Sequence, residues 1–323
     1  MKKLIGKSIL YSTLILLSLE GLVRVFHLGK DTPNRYLDEY NVEKWKPNQN
    51  GVSVTGNRKQ NFAEYRINES GYNSYREFTP TKDKIEIALV GDSFIEGFHQ
   101  NYYNSIGKKI ESILSEVDIF EYGYAGYDMA DQLHLINAYK DQFELIDHVI
   151  LGFKFSNDLT RNKYEVIHER LALESPLNKL LKKSKLLVYC KSIGILDPPK
   201  RLISKVINTV NNKKKKTKTD SEKTARIKAE KEKKYIKNFK SLVATYGFDK
   251  EKFTLLLDSK VTSQTFLSYL DKNDFNYIDF SQAMEASKKP TTLIYDRHWN
   301  NHGRDIIANL ISEYLSKNSI TNK

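Results

Sequence analysis

Four short blocks hold residues able to do chemistry together: Gly91-Asp92-Ser93-Phe94, Gly123-Tyr124-Ala125-Gly126-Tyr127, Ser156-Asn157-Asp158 and Asp296-Arg297-His298-Trp299. A serine hydroxyl is a poor nucleophile until an imidazole takes its proton, and the imidazole acts in the right tautomer when a carboxylate holds its other nitrogen. Ser93, His298 and Asp296 are of those three types. Attack by such a serine on a carbonyl builds a tetrahedral oxyanion. The backbone N–H of Ser93, the N–H of Gly126 and the side-chain amide of Asn157 are donors of the kind that stabilises it, each typically worth a few kcal/mol of barrier. The chemistry expected is acyl transfer.

These residues need elements to position them. Ile85 to Val90, Asp118 to Gly123, His148 to Phe155, Phe253 to Asp258 and Phe275 to Phe280 are short, apolar, β-rich runs that suit buried strands. Helical spacing lies between them at about 106 to 114, 129 to 139, 263 to 272 and 305 to 315. Strand alternating with helix implies a parallel sheet covered on both faces, an α/β fold. In such sheets ligands bind beyond the carboxyl ends of the strands, where the first three blocks fall. Residues 29–83 read as an irregular arm with a strand near Phe62 to Ile67, and the core is expected in two parts, 84–160 and 250–323. Residues 161–249 have no convincing strand and read as a helical, basic insertion.

Each candidate has a plainer alternative. Ser93 is also a residue that starts helices, Asp158 could cap the following segment, and Asp92 could satisfy turn amides. His302 competes with His298 as the base, but no carboxylate stands two or three residues before it. His99, His134, His148 and His168 read as surface or structural. Cys190 is the one cysteine; it excludes an intramolecular disulfide and multi-cysteine metal sites, and it reads as a buried, inert thiol.

The chain has 323 residues, 40% hydrophobic and 28% charged, enough for a sizeable core. Its net charge of +12 is concentrated between Lys200 and Lys240, where about 16 basic residues meet about 4 acidic ones. That stretch carries no nucleic-acid-binding motif and few aromatics, so nucleic acid is not an expected partner. It reads as a solvated charged helix or loop, with anionic lipid or envelope polymer as the functional alternative. From Ser8 to Leu28 the chain is apolar for about 21 residues, about 32 Å as a helix, enough to span a bilayer. Glu20 and Arg24 interrupt it, but four residues apart they can pair on one face. No A-x-A-like cleavage site follows, so an uncleaved signal anchor over residues 1–28 is expected in preference to a cleaved signal. Lys2, Lys3 and Lys7 ahead of the span place the N-terminus in the cytoplasm and the body outside it, in the periplasm or at the cell surface.

Taken in order, GDSF, the glycine turn, SND and DRHW resemble the four blocks of the SGNH/GDSL hydrolase family. The resemblance covers about 84–160 and 250–323. It implies a three-layer α/β/α sandwich with a mostly parallel, flavodoxin-like sheet. It also implies an esterase or acyltransferase with Ser93 as nucleophile, Asp296 and His298 completing the triad, and Gly126 and Asn157 in the oxyanion hole. Many members space acid and base as D-x-x-H; the D-x-H-W order here resembles the membrane-associated branch that includes alginate O-acetyltransferase-like proteins. Glu121 and Tyr122 precede the glycines where asparagine and an aliphatic are often found, so Gly126 is taken over Gly123 by choice. The stretch Tyr65 to Tyr72 also resembles one that precedes GDS in anchored bacterial members. The expected substrate is an acyl, chiefly acetyl, ester of a cell-envelope glycan, with water or a sugar hydroxyl as acceptor and no metal or organic cofactor. The alternative is a non-catalytic glycan-binding or scaffold partner of a polytopic membrane acyltransferase.

Overall fold

The structure is a computed structural model that describes residues 1–56, 59–196 and 218–321. Nine strands are described: β1 (Arg35–Leu37), β2 (Glu43–Trp45), β3 (Asn50–Thr55), β4 (Asn61–Arg66), β5 (Ile85–Gly91), β6 (Val117–Gly123), β7 (His148–Gly152), β8 (Phe253–Leu257) and β9 (Tyr277–Asp279). The described helices are α1 (Lys2–Val25), α2 (Ser93–Glu96), α3 (Ile106–Ile113), α4 (Met129–Ala138), α5 (Lys140–Leu145), α6 (His168–Leu171), α7 (Pro176–Lys183), α8 (Lys185–Ser192), α9 (Lys218–Tyr246), α10 (Gln264–Lys272), α11 (Ser281–Ala286) and α12 (Asn301–Lys317).

Strands β5 to β9 form one parallel sheet in the order β6-β5-β7-β8-β9. All seven residues of β5 and all five of β8 are buried, as expected where both faces are covered and no side chain has a solvent side. Burial of each large apolar side chain contributes roughly 1.5–3 kcal/mol. One face packs Leu133 of α4, Phe239 and Leu242 of α9, and Phe266 of α10 against Ala88 and Leu151. The other packs Ile106 and Ile110 of α3 and Ile307 and Ile311 of α12 against Ile87 and Leu89. The result is an α/β/α sandwich. Because β5 lies between β6 and β7, the chain leaves it in one direction and later returns on its other side. The switch point, where open sheets leave a crevice, lies at the carboxyl end of β5.

Two expectations are corrected here. Residues 29–83 are more ordered than an irregular arm: β1 pairs with β2, and β3 pairs with β4, each antiparallel. Their side chains Trp45, Tyr65, Tyr72 and Phe78 join the main core. The strand expected near Phe62 to Ile67 is β4, whereas β1 and β2, three residues each, are too short to leave a periodic signature. The lysine-rich segment from 218 is one long helix, and its second half is a core element rather than a solvated face. Tyr235, Phe239 and Leu242 recur at helical spacing and are buried among the lysines. The part of the basic stretch at 200–217 lies outside the described residues.

The apolar helix α1 has 24 residues, with a window of mean hydropathy 1.5, and is long and apolar enough to cross a membrane. Among its residues only Val23 is buried. Arg24 donates to Glu20 at 2.8 Å, the intrahelical pair that the four-residue spacing anticipates.

Candidate active site

The strand β5 ends at Gly91, and the chain turns at once into α2. Asp92 caps that helix: its backbone is extended and its Oδ1 accepts from the Phe94 N–H at 2.9 Å. Asp92 is thus the turn residue, and Ser93, the first residue of the helix, keeps its hydroxyl for another use. The close seating of α2 on the sheet depends on Gly123, at the end of β6. A Cβ there would stand 2.0 Å from the Glu96 nitrogen and 2.5 Å from its Cα.

The acid and base arrive on a loop before α12. Thr292 bridges Trp299, the Leu293 N–H donates to the His298 carbonyl at 2.7 Å, and Asn300 caps α12 by accepting from the Gly303 N–H at 2.9 Å. Helix α12 therefore starts four residues earlier than its apolar spacing suggests. Between acid and base, Arg297 takes a left-handed backbone at φ +63°, a conformation that costs a non-glycine residue and that persists only where its surroundings fix it. Across about 200 residues of sequence, His298 Nε2 lies 2.8 Å from Ser93 Oγ. Its Nδ1 faces Asp296, 3.3 Å from Oδ1, and that same oxygen accepts from the His298 backbone N–H at 3.1 Å. The Nδ1 approach is a charge contact at the long end of hydrogen bonding, and the backbone bond holds the carboxylate in place. Burial pushes the His298 imidazole below its ordinary value, against the pull of Asp296, so it stands neutral and able to accept a proton at neutral pH.

Three further residues shape the site, none of them singled out by motif. His99, expected to be surface or structural, stacks on the His298 ring at 3.7 Å between centroids, and its Nε2 lies 3.0 Å from Asp296 Oδ2. Asp296 thus sits between two imidazoles, one at each oxygen. Burial, with the neighbouring His298, drives His99 down to about 4, which keeps it uncharged. His99 follows α2, six residues after Ser93, with no local signal of this role in the sequence. Lys154 reaches from the loop after β7 to Asp92 Oδ2 at 2.8 Å and lies over the Phe94 ring, which itself packs on His298 at 4.6 Å. Beneath the turn, buried Glu96 accepts from Trp45 Nε1 at 2.7 Å and from the Ala125 N–H at 3.0 Å, tying the arm and the glycine turn to α2. Burial pushes its carboxyl up to about 7.

Among the described residues, His99, Asp296 and His298 are the group of metal-ligating types that converge. The two rings are only 18° from parallel, and the in-plane lone pairs of stacked rings run side by side instead of meeting at one ion. The arrangement suits a shared carboxylate better than a metal.

The remaining candidates sit around this centre. Gly126 occupies an exposed, left-handed turn after β6, at φ +95°, and its carbonyl accepts from Arg170 at 2.6 Å. Asn157 is exposed in the turn after β7, and its amide oxygen accepts from Ser156 Oγ. Both turns flank the carboxyl end of β5. Asp158 caps the same turn as Asn157, accepting from the Lys154 N–H at 2.7 Å. His302 lies in the first turn of α12 and is hydrogen-bonded to Ser287, away from Ser93. His148 bonds Thr254 in the interior, and His134 stacks on Tyr164. Cys190 is half-buried beside α1, where a fully buried thiol was expected.

No family model and no curated protein matches the chain. Solved structures do. A member of the lipolytic protein G-D-S-L family from Veillonella parvula matches 72% of this chain and 99% of its own, at 14% identity and a TM-score of 0.37. A lipase/acylhydrolase from Enterococcus faecalis matches 72% of this chain and 96% of its own, at 15% identity and 0.39. A psychrotrophic esterase from Pseudoalteromonas sp. matches 72% of this chain and 97% of its own, at 12% identity and 0.38.

Proposed function

We propose that the protein is a serine-dependent acyl-transfer enzyme, an esterase or O-acyltransferase acting through an acyl-Ser93 intermediate. The observation that carries the reading is the 2.8 Å contact from Ser93 Oγ to His298 Nε2, with Asp296 on the opposite nitrogen. Ser93 attacks the ester carbonyl as His298 takes the hydroxyl proton. The resulting oxyanion is received by the Ser93 and Gly126 N–H groups and the Asn157 amide. Collapse expels the alcohol, which leaves with the proton from His298. Water or a second hydroxyl then attacks the acyl-enzyme, again giving its proton to His298 as the Ser93–acyl bond breaks. Lys154, paired with Asp92 and lying over Phe94, helps to hold the turn that carries Ser93.

The substrate class in this reading is an acyl, chiefly acetyl, ester of a cell-envelope glycan. The supporting features are the apolar, exposed α1, the lysines Lys2, Lys3 and Lys7 in its first turns, and the resemblance of the DRHW block to membrane-associated acyltransferases. The helix anchors the chain in a membrane with its N-terminus in the cytoplasm and the sandwich on the other side.

The test is labelling of the full chain with a serine-directed fluorophosphonate. Wild type labels, and Ser93→Ala and His298→Ala do not. A folded wild type that stays unlabelled overturns the catalytic reading in favour of a binding module or of a partner to a polytopic acyltransferase.

A further inference from the structure

Helix α7 turns an apolar stripe outward. Leu177 and Leu180 are 65% and 63% exposed, and Leu173 and Leu181 are exposed beside them, a stripe at helical spacing. Of its three lysines only Lys182 turns inward, while Lys179 and Lys183 are exposed. Lys182 pairs at 3.1 Å with Glu174, a largely buried carboxylate that also approaches Arg35 of the arm. A helix that turns a stripe of leucines outward, with exposed lysines on the same short element, is built for the boundary between water and an apolar medium.

The next helix is fastened to α1. Glu20 accepts from the N–H groups of Lys185 and Leu186, at 2.9 and 2.8 Å, and from Ser184 Oγ at 3.0 Å, so it closes the N-terminus of α8. Arg24 donates to the carbonyl of Lys183, the last residue of α7, at 2.6 Å. The two charges that interrupt the apolar helix thus serve as its docking points for α7 and α8. Between the three helices runs an open, mostly apolar cleft of about 730 Å³, lined by Leu16 and Leu17 of α1 and by Leu180, Leu187 and Leu196.

We propose that α7 and α8 lie in the interfacial layer of the membrane that α1 enters, with the outward leucines of α7 among acyl chains and one chain in the cleft against α1. This rests on reading α1 as a membrane span. Interfacial helices sit about 5–10 Å into the headgroup boundary, a depth that matches attachment in the last third of a span. Lys179, Lys183 and Lys191, all exposed, meet lipid phosphates, each contributing about 1 kcal/mol on an anionic surface. The occupant is lipid because the exposed stripe is continuous with α1, whose own exposed face requires the same solvent.

The test uses the full chain in vesicles of phosphatidylglycerol and phosphatidylethanolamine. On a Cys190→Ser background, single cysteines replace Leu177, Leu180, Leu10 in α1 and Tyr103, which is 73% exposed on the sandwich. Each carries a nitroxide, and its accessibility to oxygen and to a water-soluble nickel chelate is measured. Labels at 177 and 180 are expected to follow Leu10, open to oxygen and shielded from nickel, while Tyr103 shows the reverse. If Leu10 lies in lipid but 177 and 180 behave like Tyr103, the platform is wrong. Shielding of 177 and 180 from both reagents assigns the stripe to a protein contact and overturns the lipid assignment. A Leu10 label open to nickel removes the membrane reading of α1 itself, and the platform with it.

Discussion

Replacing Asp296 with asparagine tests the assignment of roles most directly. The carboxylate stands 3.3 Å from His298 Nδ1, and the imidazole becomes an imidazolium as it takes the Ser93 proton. At that separation, in a medium of effective dielectric about 20, the attraction is about 5 kcal/mol. Asp296 is about one-fifth exposed, so solvent screening reduces it, and about 3–4 kcal/mol is a reasonable share. An asparagine of the same shape that keeps its carbonyl at the Oδ1 position still accepts from the His298 backbone N–H and faces Nδ1, with its NH2 toward His99; what it removes is the negative charge that stabilises the imidazolium. The expected loss in kcat/KM is roughly 10²–10³-fold. The pH profile gives an independent reading. Burial lowers the His298 pKa and Asp296 raises it, so removing Asp296 leaves burial unopposed and moves the acid limb of kcat/KM further down. The assay is hydrolysis of an activated acetyl ester by the purified full chain between about pH 5 and 9. A loss smaller than about threefold, or an acid limb that moves up, would refute the role given to Asp296.

His99→Ala removes the ring that stacks on His298 at 3.7 Å and stands beside Asp296, so kcat is expected to fall by about tenfold with little change in KM; His99→Phe, which keeps a ring there, restores most of it, and a phenylalanine as poor as alanine would overturn the positioning role. Glu96 has an ordinary value near 4.5 when unfolded and about 7 when folded, so between those values the unfolded chain sheds a proton that the folded chain keeps, and stability falls as pH rises. Glu96→Gln keeps the acceptor for Trp45 and Ala125 without that penalty, and denaturant titrations should show it gaining on wild type by roughly 3 kcal/mol between pH 5 and 8, whereas a constant difference contradicts the burial of an uncharged carboxyl. Gly123→Ala drives a methyl into the backbone of α2, so a loss of at least about 3 kcal/mol by thermal unfolding is expected, and a variant with wild-type melting would show that α2 is not seated as described.

What could be read from the sequence follows from the range over which each signal acts. The five sheet strands are continuous apolar runs because both faces are covered, and that composition survives without any knowledge of partners. The approach of Ser93, His298 and Asp296 to one another was anticipated from the GDSF and DRHW blocks and from the place of Ser93 beyond a strand. His99 was not, because its role is created by the meeting of residues about 200 positions apart, and a histidine after a short helix has no local signature. The core half of α9 shows Tyr235, Phe239 and Leu242 at helical spacing, but the lysine count masks it. The Glu20–Arg24 pair was legible as an intrahelical contact, while its second task, closing the ends of α7 and α8, depends on a segment more than 150 residues away.

The place where the long excursion leaves the sheet gives it a further meaning. It departs from β7, beside the crevice, and its first residues grip the site before the chain reaches α1. Arg161 binds Asp128 at 2.7 Å and Asp131 at 2.7 Å, at the start of α4 just after the glycine turn. Arg170 donates to the Gly126 carbonyl and approaches Glu43, the arm residue that also receives Tyr124 Oη at 2.5 Å. From Arg170 to the first residue of α7 is only six positions. A donor aimed at an oxyanion works through being held in place before the reaction begins, since dipoles that must reorganise lose most of their benefit. In the proposed reading, a turn clamped by two arginines, from the same segment that docks on α1, is held in that way.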